Sequence, residues 1–152
     1  MAVITARKAV RDKIVAIVTN MTAVADTKKT TMSRLRSSAQ DYEGFIFRAR
    51  YRSSANSLIS SDWRQVSEQW LLELYSPRTG LGNEALKEDQ MLDYSDSILE
   101  TFMEKPTLED LSTVSLAFIV SDTVIWQSDT GLDDTPRSKW SFNIQVDRQE
   151  PC

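Results

Sequence analysis

The spacing of apolar side chains changes period several times along this chain. Over residues 4–25 it is helical: Val10, Ile14, Ile17, Val18 and Met21 recur three or four positions apart. Arg7, Lys8, Arg11, Asp12 and Lys13 take the opposite side, and Thr5 can cap the start. Residues 26–42 are polar and basic with little periodicity, and read as a loop or the first limb of a hairpin. From Phe45 the period is two. Phe45, Phe47, Ala49 and Tyr51 point one way, and Arg48, Arg50 and Arg52 the other. The Ser-rich stretch 53–62 reads as a connection. A longer strand follows over 63–77, where Val66, Trp70, Leu72 and Leu74 share one parity and Glu68 interrupts it. Pro77 and the two glycines after it end that strand.

The helical period returns over 83–104. Leu86, Met91, Tyr94, Ile98, Leu99 and Phe102 form the stripe, Asn83 can cap it and Pro106 stops it. Residues 112–126 are apolar and β-branched, the pattern of a well-buried strand. Trp140, Phe142, Ile144 and Val146 then alternate with Ser141, Asn143, Gln145 and Asp147, which predicts a half-buried antiparallel strand. Residues 148–152 read as a short tail. The order predicts an α+β fold of one domain over 1–152. It has a single antiparallel or mixed sheet of four to five strands, two helices packed on one face and a protruding basic hairpin arm within 26–60.

Composition narrows the chemistry. The chain has 152 residues, one cysteine and no histidine. A structural zinc site and a Ser-His-Asp triad both need residues that are missing. No stretch approaches the about 20 apolar residues of a membrane span, and the N-terminus carries charges where a signal peptide would be apolar. Glycines 80 and 82 lack the lysine of a phosphate-binding loop. Glu84, Glu88, Asp89, Asp93, Asp96 and Glu100 could supply magnesium ligands, but the plainer reading is the solvated side of an amphipathic helix. DTGLDD at 129–134 lacks the spacing of a calcium loop and reads as a surface turn. Of the four tryptophans, Trp70 and Trp140 suit the core, and Trp63 and Trp126 stand at strand ends. No catalytic motif, cofactor or metal site is expected.

Charge adds a second pattern. The net charge is −4, yet residues 26–60 hold seven Lys/Arg against three acids, a balance of +4. Residues 81–110 hold nine acids against two lysines, a balance of −7. Opposite patches on one molecule attract copies of it. The arginine strand therefore has three readings: an exposed face that discourages edge pairing, a nucleic-acid contact, or a protein interface. Nucleic acid ranks behind the others, because the aromatic residues fall on the side away from the arginines.

The stretches QWLLELYSP (69–77), DSILETFMEKPTLEDL (96–111) and WSFNIQVD (140–147), in this element order, resemble the tail terminator proteins of long-tailed bacteriophages. Related head–tail neck proteins share similar small architectures. The resemblance implies a structural virion protein without turnover chemistry, located in the tail or neck and assembled in the host cytoplasm. It implies a homo-hexameric ring that caps the tail tube protein, meets the head–tail connector and lets DNA pass through its lumen without sequence-specific binding. Together with the charge pattern it suggests an interface. Lys28, Lys29, Arg34, Arg36, Arg48, Arg50 and Arg52 of one copy would face Glu88, Asp89 and Asp93 of the next.

Overall fold

The protein was analysed as a computed structural model, which describes residues 7–21, 28–30, 45–77, 84–111, 114–128 and 137–151. In chain order the elements are α1 (Arg7–Thr19), β1 (Lys28–Thr30), β2 (Ile46–Leu58), β3 (Trp63–Tyr75), α2 (Glu84–Met103), β4 (Val114–Ser128) and β5 (Arg137–Pro151). The strands make one sheet in the order β1-β2-β3-β5-β4. The four long strands pair antiparallel, and three-residue β1 pairs parallel to the start of β2. The fold is α+β, as the alternation of periods implies.

Both helices cover the same face of the sheet. Val10, Ile14, Ile17 and Val18 of α1 and Met91, Ile98 and Phe102 of α2 join one core cluster with Phe47, Leu72, Leu74, Phe142, Ile144 and Val146. The core residues of β2, β3 and β5 share one parity per strand, so the period-two pattern decides which face is dry, whereas Val114 and Ala117 of β4 change parity across a register shift. The Tyr94 ring meets Phe45 edge-on at 5.0 Å and ties α2 to the entry of β2. Past α2 the chain turns through Leu108, Glu109 and Asp110, all at positive φ between 51° and 59°. Three non-glycine residues there are costly. Leu108 is fully buried, and Asp110 N donates to Thr107 Oγ1 at 3.1 Å, so packing and a local hydrogen bond hold the turn.

Four expectations change. The Ser-rich stretch 53–58 is strand: β2 runs to Leu58, paired with β3 from Ser53↔Gln69 to Leu58↔Arg64, and only 59–62 turn. Its backbone partners outweigh the turn propensity of serine. Residues 148–151, expected as a tail, extend β5 along β3 as far as Trp63↔Pro151. The hairpin is therefore flanked by a third strand, and no free-standing arm is present among the described residues of 26–60. Strand β4 is not well buried. It is the sheet's edge, and Leu116, Phe118, Val120 and Ile125 are exposed along it. Residues 31–44, with Arg34 and Arg36, and the 129–134 turn lie outside the described residues.

Candidate functional site

The arginine row divides between burial and surface. Arg48 and Glu73 are directly opposite in the β2–β3 register, on the face without helices. Arg48 is only 4% exposed, and its Nε and Nη2 donate to Glu73 Oε1 at 3.3 and 3.1 Å. The expectation that Arg48 reaches outward to another molecule is therefore corrected: its charge is spent inside the chain. Arg50 Nε lies 3.1 Å from the same Oε1, and Lys139 Nζ lies 3.9 Å from Oε2. Tyr75 Oη donates to Oε2 at 3.0 Å and accepts from Arg48 Nη2. Burial first, then the Glu73 carboxylate beside it, push the Tyr75 hydroxyl well above the usual tyrosine range. Arg52, next to a bulge in β2, is exposed and donates to Asn143 Oδ1 at 2.9 Å. Lys28 and Lys29 lie on β1, at the edge of the sheet beside Ile46 and Phe47.

A second buried carboxylate explains the break in parity on β3. Glu68 is on the helix-covered face and fully buried. Arg148 Nε donates to its Oε1 at 2.7 Å, and Arg7 Nε of α1 to its Oε2 at 3.0 Å. Arg148 lies diagonally across from it, since Val66 pairs with Arg148 and Glu68 with Val146. The sequence held the signal: two residues of opposite charge stand where apolar parity runs on, at 68 and at 148. Three cations surround Glu73 on one face of the sheet and two surround Glu68 on the other, so cations outnumber each buried carboxylate.

Between α1 and β2 lies a cavity of about 430 Å³, lined by Arg7, Lys8 and Arg11 of α1, Ala49, Arg50 and Tyr51 of β2, and Trp70 of β3. Tyr51 and Trp70 meet edge-on at 5.4 Å, and the Arg7 guanidinium lies over the Tyr51 ring at 4.8 Å. The indole N–H of Trp70 is buried and has no acceptor among the described residues. A smaller cavity of about 350 Å³ between the end of α1 and α2 has the opposite character, with Glu100, Glu104 and Glu109 against Lys105.

The acidic candidates stay at the surface. Glu88, Asp89 and Asp93 are exposed on α2, together with Asp96 and Glu100, and Glu104 is exposed just past its end. Among the described residues no three His, Cys, Asp or Glu side chains converge as a metal site, and no helix is long and apolar enough to cross a membrane. Trp70 and Trp140 are buried, whereas Trp63 and Trp126 are about two-fifths exposed. No family model matches the chain, and no curated protein matches it.

Proposed function

We propose that this chain is a structural assembly protein, a tail terminator that closes the tube of a long-tailed phage as a homo-hexameric ring. In this reading it offers the surface on which the head connector sits, and DNA threads the ring unread. Its work is adhesion in a fixed geometry, and it turns over no substrate.

The observation that carries the reading is apolar surface left outside a filled core. At the β2–β3 turn, Leu58, Ile59 and Trp63 are 77%, 51% and 42% exposed, held together as Ile59 N and Ser60 N both donate to Trp63 O at 3.0 Å. On β4, Leu116, Phe118 and Val120 are exposed beside a strand edge that has no partner among the described residues. Soluble monomers seldom combine a long open edge with exposed apolar side chains, because that combination invites association. The segregated charge and the resemblance of 69–77, 96–111 and 140–147 to tail terminators point the same way.

Another head–tail joining protein would use the same features against a different partner. Purified tail tubes and purified heads, offered separately to the immobilised chain, divide the two: capture of tubes alone supports a terminator, and capture of heads alone supports a neck protein. A nucleic-acid module built on the arginine strand loses one of its three contacts to the burial of Arg48.

A further inference from the structure

We propose that the cavity beneath the first half of α1 is the seat for α2 of a second copy of this chain. The proposal rests on the ring reading above and names the two surfaces that would close such a ring.

The cavity and α2 complement each other in shape and charge. The cavity has an apolar floor of Ala49, Tyr51 and Trp70, with Arg7, Lys8 and Arg11 contributed by α1. On the outer side of α2, Leu92 is 43% exposed, and Leu86 nearer the start of the helix is 56% exposed. Glu88 and Asp89 lie one turn before Leu92, Asp93 beside it and Asp96 one turn after, all exposed. An apolar knob ringed by carboxylates thus matches an apolar hole rimmed by cations. No ion pair involves Glu88, Asp89, Asp93 or Asp96 among the described residues, nor Lys8 at the rim. Arg7 and Arg11 already hold Glu68 and Asp12, but both remain partly exposed and can take a second carboxylate.

The two surfaces share no residue, and no part of α2 lines the cavity. A contact between two different patches is heterologous, head to tail, and makes a ring where the rotation from one copy to the next closes. Burial of one leucine with flanking charge pairs gives an interface that is specific in register and sensitive to salt.

A charge swap tests this. The chains compared are the unaltered one, Lys8→Glu/Arg11→Glu, Asp89→Lys/Asp93→Lys, and the chain carrying all four changes. Native mass spectrometry at low salt reads association, circular dichroism checks folding, and co-sedimentation with tail tubes repeats the comparison on the partner. The expected result is that each half-swapped chain associates at least about tenfold more weakly than the unaltered one. Their mixture and the four-fold variant should both recover association, and Leu92→Ala should weaken it. If the unaltered chain assembles and the half-swapped chains assemble equally well, the seat is wrong while the ring reading stands. If the unaltered chain stays monomeric both alone and with tubes, the ring reading fails and the seat with it. If Lys8→Glu/Arg11→Glu abolishes binding of inorganic phosphate or an oligonucleotide but leaves assembly unchanged, the cavity belongs to a phosphate and the proposal is overturned.

Discussion

Glu73 shows how a charged row on a strand can be structural. Its carboxylate is 2% exposed and gathers Arg48, Arg50, Lys139 and the Tyr75 hydroxyl. Removing that single negative charge takes the Glu73 carboxylate from a buried guanidinium and from two further cations. Glu73→Gln is expected to cost about 3–5 kcal/mol in urea unfolding, and the paired change Glu73→Leu/Arg48→Met considerably less, because no orphan charge remains. Tyr75 adds a pH dependence. Its folded-state pKa is raised, so this contribution to stability is complete below the unfolded tyrosine value near 10 and is lost as pH climbs above it. Above pH 10 the unfolding free energy is expected to fall by up to about 1.4 kcal/mol per pH unit from this group, and Tyr75→Phe should remove that slope. At this scale the sequence showed the alternation at 45–52 but not the depth of Arg48. Nothing local reveals that Glu73, twenty-five residues on, lies opposite it in register.

Among the elements, β3 is the central strand: β2 borders one side and β5 the other along its whole length. The extension of β5 to Pro151 matters because it carries Arg148 to Glu68. Arg148→Ala is expected to cost about 2 kcal/mol or more, since a fully buried carboxylate loses a charged donor. Arg7→Ala should cost at most about 1 kcal/mol, because Arg7 is more than half exposed; thermal or urea unfolding of both variants checks the order. The edge strand makes a contrasting prediction. Phe118→Lys should shift stability by no more than about 0.5 kcal/mol and reduce self-association in light scattering. The two helices, the β3 strand and the alternating half of β5 were legible because each keeps one period for several residues. The end of β2 and the last residues of β5 were not, because polar stretches become strand there only through neighbours distant in sequence. Strand β4 misled for a different reason: an apolar β-branched run looks the same whether protein covers it inside a fold or a partner covers it in an assembly.

For the whole molecule, the central claim is that apolar and oppositely charged surfaces of one chain are made to meet copies of it. Charge segregation was visible in the sequence as +4 against −7, but its location was not. Among the described residues, Arg7, Lys8 and Arg11 of α1 and Arg50 of β2 gather around one cavity, while Arg48 is held by Glu73. The acidic surface stays on α2, where the apolar stripe had placed it. The most direct measurement is the mass and symmetry of the particle formed when the purified chain is added to capless tail tubes at low salt. The account predicts a closed ring of six copies at one end of each tube. Free monomers beside tubes whose ends stay bare would contradict it.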